Sequence, residues 1–365
     1  MSHERTTVRV DLGSRSYDIE IGSGLLSSLG VFVASRNTVH HAVIIADANV
    51  ASFASRVEQS LLAVSARTTL LSVPPGEESK SIAVAERLWN ELLEAQTDRK
   101  SLVIAVGGGV IGDLAGFVAA TFARGLPFFQ VPTTLLAHVD SSVGGKVAVN
   151  LPAAKNMVGV FWQPSGVLID VDTLRTLPER EYRAGLAEVV KYGVILDEHF
   201  FGTLERHWEA LLNRDPATLV DVIAHCCRLK AQVVSQDERE TTGLRAVLNY
   251  GHTFGHAVES VAGYGEFLHG EAVAIGMTCA ARLARILGRI DEATVHRQQQ
   301  LLERLALPTA LPAFKHQELI AAMRHDKKVE FGKLRFVLPS RIGHVELVDG
   351  VEVHQIEQAL TGTGV

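Results

Sequence analysis

Residues 101–125 read SLVIAVGGGVIGDLAGFVAATFARG. The apolar run from Leu102 to Val106 gives way to three consecutive glycines and then to apolar residues at helical spacing, which predicts a strand, a glycine turn and a helix. Bare glycine lets the backbone approach a diphosphate, while the first amides of the following helix supply donors and the positive end of its dipole. Gly107, Gly109 and Gly112 satisfy the G-x-G-x-x-G pattern. That pattern expects an acidic residue about 20 positions downstream to hold a ribose, and none stands there. Asp47, which ends the earlier run HAVIIAD, is the substitute, so the nucleotide site would be wired differently from the standard unit. The alternative is that the glycines serve only a tight strand-to-helix turn.

Outward from this unit the same texture repeats. TVRVDL and YDIEIG predict a hairpin, and HAVIIAD, TTLLSVP and FFQVPTT predict buried strands separated by helical stretches such as SIAVAERLWNELLEAQ. Short apolar runs alternating with helices predict a mostly parallel α/β sheet covered on both faces. From Glu181 onward, apolar residues fall at i, i+3, i+4 through EYRAGLAEVVKYGVIL, PATLVDVIAHCCRLKAQVVSQ, GHTFGHAVESVAG and GEAVAIGMTCAARLARILG, with little strand signal before KLRFVLP. Two domains are expected, an α/β domain over 1–180 and a mostly helical one over 181–365.

A 365-residue chain that is 47% hydrophobic and 21% charged has material for a large core and exceeds the usual size of one domain. A formal charge of -6, with no basic tract, argues against nucleic acid or a membrane surface as partner. The polar start MSHERTTVRVDLGS and the lack of a long apolar run predict neither a leader nor a span. Cys226, Cys227 and Cys279 form no CxxC pattern, which suits a reducing, cytosolic compartment.

Lys146 and Lys155 stand among small residues with Asp140 and Asn156 close by. Cations with few carboxylate neighbours are expected where the ligand brings the anion, although solvated surface lysines fit equally. In GLAEVVKYG, Glu188 and Lys191 share one helix face at i, i+3 among apolar residues, and a buried carboxylate needs a cation or metal for company. His252 and His256 lie one helical turn apart in LNYGHTFGHAVES, and the glycines of GYGEFLHGEA let His269 turn back towards them. Two imidazoles and a carboxylate such as Glu188 would make a three-ligand site with an open position. Which two histidines bind, and which remains for acid/base work, the spacing leaves open.

These stretches, with PGEESK, QVPTTLLAHVDSSVGGK, KNMVGVFWQP, LPEREYRAGLAEVVKYG, DERETTGLRAVLNYGHTFGHA, LHGEAVAIGM and HDKK, resemble in order the 3-dehydroquinate synthase family of sugar phosphate cyclases. The resemblance implies a Rossmann-like NAD-binding α/β domain, a helical metal-binding domain, one divalent ion (zinc or cobalt) and a homodimer. The implied reaction converts 3-deoxy-D-arabino-heptulosonate 7-phosphate to 3-dehydroquinate and phosphate by transient oxidation, phosphate elimination, re-reduction, ring opening and aldol closure. A sister cyclase acting on sedoheptulose 7-phosphate, of the 2-epi-5-epi-valiolone synthase type, is the alternative.

By the same resemblance Glu188, His252 and His269 match metal ligands, His256 an acid/base histidine and Glu240 a proton acceptor. Arg124, Lys146, Lys191, Lys230, Arg245, Lys327 and Lys328 match groups that hold the substrate's anions, with Asp140, Asn156 and Asn249 as polar contacts. For NAD the matching positions are Asp47, Asn49, Gly76, Glu77, Lys80, Gly108, Gly109, Val110, Ile111, Gly112, Asp113, Thr133, Thr134, Lys146, Lys155, Thr173, Leu174, Arg175 and Thr176. The chain departs from the family's common pattern at Pro75, where an acidic residue is frequent, and at Val147, where threonine is frequent.

Overall fold

The computed structural model describes residues 5–152, 154–263, 265–325 and 334–361, so Lys327 and Lys328 lie outside the described residues. The chain forms two compact units, one of residues 1–177 and 216–239, the other of 178–215 and 240–365.

The first unit contains strands β1 (Thr6–Val10), β2 (Tyr17–Gly22), β3 (His41–Asp47), β4 (Arg67–Val73), β5 (Leu102–Gly107), β6 (Phe128–Pro132), β7 (Lys146–Leu151), β8 (Ala154–Phe161) and β9 (Gly166–Asp170). Among the described residues seven of them form one sheet in the order β1-β2-β9-β6-β5-β3-β4. Only the β1–β2 pair is antiparallel within it. Helices α1 (Leu29–Ala34), α2 (Ala51–Leu62), α3 (Ile82–Glu94) and α4 (Gly109–Thr121) cover its faces.

The two-residue period of a strand explains the packing. Ala42, Ile44, Ala46, Leu102, Ile104 and Val106 enter one core with α1 and α2. Val43, Ile45, Val103 and Ala105 enter the other with α3 and α4. A sheet covered on both sides has continuous apolar strands. β4 departs from the expectation of a buried strand: it lies at the sheet edge, and Val73 alone along it is buried. β7 and β8 form a separate hairpin, whose Val147 and Val149 pack into the second core. Val147 sits so close to α4 that a Cβ on Gly116 would stand 2.3 Å from its Cγ1.

The second unit is mostly helical. It holds α5 (Glu179–Leu196) and α6 (Glu198–Leu212) and then, after α7 (Pro216–Gln236), α8 (His252–Ala262), α9 (His269–Ile286), α10 (Glu292–Arg304), α11 (His316–His325) and α12 (Val353–Thr361). The hairpin of β10 (Phe336–Arg341) and β11 (His344–Val348) joins them. α7 itself belongs to the first unit, where it packs on β1 and β2. The division therefore differs from a single crossing near residue 180. Helical periodicity marks the apolar stripe of α7, including Ile223, Cys227 and Val234, but says nothing about which surface it will cover.

Cys226, Cys227 and Cys279 are reduced and buried. Among the described residues no helix is long and apolar enough to cross a membrane.

Candidate nucleotide and metal sites

In the first unit, the chain after β3 crosses to β4 on one side and to β5 on the other, so the strand order reverses between β3 and β5. Ligands of open α/β sheets bind outside the carboxyl ends of strands at such a reversal. The residues matched to NAD gather at those ends: Asp47 closes β3, Gly108 and Gly109 follow β5, Thr133 and Thr134 follow β6, and Thr173–Thr176 follow β9 in a 3-10 turn. Asp47 already accepts from the Asn49 amide at 2.8 Å.

The glycine turn leads directly into α4, whose opening amides at Gly109, Val110 and Ile111 have no carbonyl one turn back. A Cβ on Gly108 would stand 3.0 Å from Thr134 Cγ2, and one on Gly109 would stand 3.1 Å from Ser141 Oγ. The backbone here is bare where side chains would fill the cradle, which fits a diphosphate.

Beside it, Lys80 is buried and its ammonium reaches Asp113 and, at 2.5 Å, Asn156 Oδ1. Burial pushes the Asp113 carboxyl above its ordinary value, against the pull of Lys80. Asn150 joins the PGEESK loop to the β7–β8 hairpin, donating to Glu77 Oε1 at 2.7 Å and accepting from the Asn156 amide at 2.9 Å. Lys230 of α7 donates to Asp140 through its carbonyl at 2.7 Å and its carboxylate at 2.8 Å. Lys146 is exposed at the start of β7 and Lys155 is half-buried. Arg124 is not brought to this group. It is exposed just beyond the far end of α4, ~20 Å along the helix from the glycine turn at 1.5 Å per residue.

One residue of this region escaped the sequence reading. His138 is fully buried in a π-helical turn over Ala137–Ser141. Its Nε2 donates to the Pro132 carbonyl at 2.9 Å, and its own carbonyl accepts from Cys227 Sγ at 3.3 Å. Burial pushes its pKa down to about 4, only partly opposed by the bond to Pro132. A lone histidine in an apolar run carries no periodic signal, so nothing in the sequence marked it.

In the second unit, close helix approaches converge on the histidines. A Cβ on Gly270 would fall 1.8 Å from the Ala184 carbonyl oxygen, and one on Gly276 would fall 2.0 Å from that of Gly251. Glycine at these positions lets α9 press against α5 and α8. His269 opens α9 and His252 opens α8. Glu271 fixes the start of α9 by accepting from the Leu268 amide at 2.8 Å and from Arg180 of α5 at 2.7 Å.

Glu188, His252 and His269 thereby offer ligand atoms that all lie within 4.8 Å of one another. Glu188 is 1% exposed and pairs with the equally buried Lys191. His252 Nδ1 donates to the Tyr250 carbonyl at 3.1 Å, so its Nε2 faces Glu188 Oε1 at 3.7 Å. That Oε1 accepts no hydrogen bond among the described residues. A buried carboxylate oxygen without a donor, flanked by two imidazoles, fits a divalent ion such as zinc or cobalt.

The ring of His256 lies 5.5 Å from that of His252 and 6.0 Å from that of His269. Burial alone would lower the pKa of His269, but Glu259 and then Glu188 hold it above its ordinary value. Glu259 was also missed, although HTFGHAVE places it at i+7 from His252 and i+3 from His256 on one helix face. Glu240 and the buried Arg245 meet at 3.4 Å, and the half-buried Asn249 ends the 3-10 turn Leu244–Asn249.

The fold is that of solved sugar phosphate cyclases. A 2-deoxy-scyllo-inosose synthase complexed with carbaglucose-6-phosphate, NAD+ and Co2+ matches with a TM-score of 0.88 at 28% identity, covering 97% of this chain and 99% of that one. A 2-epi-5-epi-valiolone synthase from Streptomyces hygroscopicus with NAD+ and Zn2+ bound matches at 0.87 and 29% identity, covering 96% and 97%. Models of the N-terminal and C-terminal parts of 3-dehydroquinate synthase match residues 70–184 and 185–329. A 3-dehydroquinate synthase of Rhodopirellula baltica is 51% identical over an alignment 367 positions long, gaps included, that covers 99% of this chain and 98% of the relative. The chain belongs to the 3-dehydroquinate synthase family.

Proposed function

We propose that this chain converts 3-deoxy-D-arabino-heptulosonate 7-phosphate to 3-dehydroquinate and phosphate, as a phosphate-eliminating, carbon-oxygen lyase that needs NAD and a divalent ion. The observation that carries the metal part is the buried Glu188 Oε1 without a hydrogen-bond donor, placed among His252 and His269. Glu188, His252 and His269 would hold the ion, and the residues at the strand ends, from Asp47 and Asn49 to Thr173–Thr176, would hold NAD. When bound, NAD supplies a transient two-electron oxidation that it later reverses, and the ion supplies Lewis-acid polarisation of substrate hydroxyls.

The remaining work falls to side chains of this chain. Lys146, Lys191, Lys230 and Arg245 are assigned to the substrate's carboxylate and phosphate, because cations held by a few fixed partners bind and orient anions; Arg124, exposed beyond the far end of α4, is left out of this assignment. Lys191 also balances the charge of Glu188, which it touches. Asp140, Asn156 and Asn249 would fix hydroxyl groups. His256, beside the ion ligands yet outside their set, is assigned proton transfer at a substrate oxygen, with Glu240 as a second acceptor. The protein is further proposed to work as a cytoplasmic homodimer.

The test supplies purified protein with NAD and zinc or cobalt. Release of phosphate and formation of 3-dehydroquinate without lasting NADH absorbance supports the reading. Turnover of sedoheptulose 7-phosphate alone, or steady accumulation of NADH, overturns it.

A further inference from the structure

We infer that Glu259 is a positioning residue for the ion site: its carboxylate holds His269 by Nδ1 and leaves Nε2 as the donor of that ring. The inference rests on the ligand assignment just proposed and extends it one residue outward. Two sets of donors share His269, one with Glu188 and His252, the other with His256 and Glu259. Glu259 Oε2 stands 3.5 Å from His269 Nδ1. An imidazole whose Nδ1–H faces a carboxylate is fixed in one tautomer and orientation, and its other nitrogen becomes a better donor.

His252 is treated in the same sense. Its Nδ1 is held by the Tyr250 carbonyl at 3.1 Å, and its Nε2 is the atom turned to Glu188. Both rings of the assigned set are thus gripped at Nδ1, one by a backbone carbonyl and one by a carboxylate. Burial separates the two glutamates. The side chain of Glu188 is 1% exposed, whereas that of Glu259 is 17% exposed. Lys191 balances the charge of Glu188 through Oε2, but Glu188 Oε1 is buried without a hydrogen-bond donor, so Glu188 is the carboxylate turned to the ion and Glu259 takes the outer place.

The experiment titrates Co2+ into chelator-stripped protein, follows its visible absorption and obtains affinity by chelator competition. It compares wild type with Glu259→Leu, Glu259→Gln, Glu188→Gln and His256→Ala. Glu259→Leu should keep its far-UV circular dichroism and bind Co2+ about 10- to 100-fold more weakly, the range for losing an outer hydrogen-bond partner. Glu259→Gln, which retains an acceptor oxygen, should recover much of that loss, and His256→Ala should keep wild-type affinity. Should Glu259→Leu fail to fold, Glu259→Gln still decides, because it is expected to fall measurably below wild type. Wild-type affinity in both Glu259 variants overturns the inference. So does joint loss of binding in Glu259→Leu and His256→Ala with binding intact in Glu188→Gln, which would make Glu259 a direct ligand. A wild type that binds Co2+ no better than Glu188→Gln sinks the ligand assignment itself.

Discussion

His138 should make the first unit sensitive to acid, and the size of the effect follows from its surroundings. The ring is fully buried, and burial pushes its pKa from 6.5 down to about 4. The folded protein therefore keeps it neutral where the unfolded chain would protonate it. Its contribution is unaffected above about pH 6.5, declines as pH falls through the interval to about 4, and changes no further below that. At ~1.4 kcal/mol per pH unit the whole interval is worth about 3 kcal/mol, and the step from pH 7 to pH 5 about 2 kcal/mol. Other groups titrate in the same range, so the informative quantity is a difference of differences. Urea unfolding of wild type and His138→Gln at pH 7 and pH 5 supplies it. Glutamine keeps an N–H for the Pro132 carbonyl but has no proton to gain, so the variant should lose about 2 kcal/mol less between the two pH values. Equal losses in both proteins would refute the reasoning.

Three further outcomes are expected. His269→Ala should lose most of its bound metal if the proposed set of Glu188, His252 and His269 holds the ion, since one of the three goes, and elemental analysis of dialysed protein checks this. Gly270→Ala should be strongly destabilised, by ~1–3 kcal/mol or more, because its Cβ would meet the Ala184 carbonyl oxygen; a melting temperature equal to wild type would contradict the close approach of α5 and α9. Lys80→Met should leave Asp113 without its cation, cost ~1–3 kcal/mol and weaken NAD binding, measured by urea unfolding and by calorimetric titration of NAD.

Much of the α/β unit was legible because β3, β5 and β6 are apolar on both faces and glycine follows β5 directly. Edge position was not: TTLLSV reads as a core strand, yet β4 has a sheet neighbour on one side only, and its alternate residues face water. The β7–β8 hairpin left little trace because only KVAVNL alternates, while the strand that pairs with it has no buried residue and hence no apolar period. The partner of α7 was beyond reach, since a helical stripe specifies a face and not the surface that meets it. At the metal site the donor residues were visible as residues, but three histidines and one glutamate allow several sets. What the sequence lacked was the packing geometry, supplied by Gly270 and Gly276, that sets α8, α9 and α5 side by side. Glu259 could have been found from its place on the histidine face of α8, whereas His138 offered only one polar residue in an apolar run.

The excursion of the chain through α5 and α6 before α7 returns to β1 and β2 bears on biosynthesis. A nascent polypeptide leaving the ribosome can complete the sheet early, but the strands at its beginning stay bare until residue 239 has emerged. By then the opening helices of the other unit are already outside. Synthesis thus obliges the two halves to mature in an interleaved order, and a gene cut after residue 177 would encode a first half with its hairpin left uncovered.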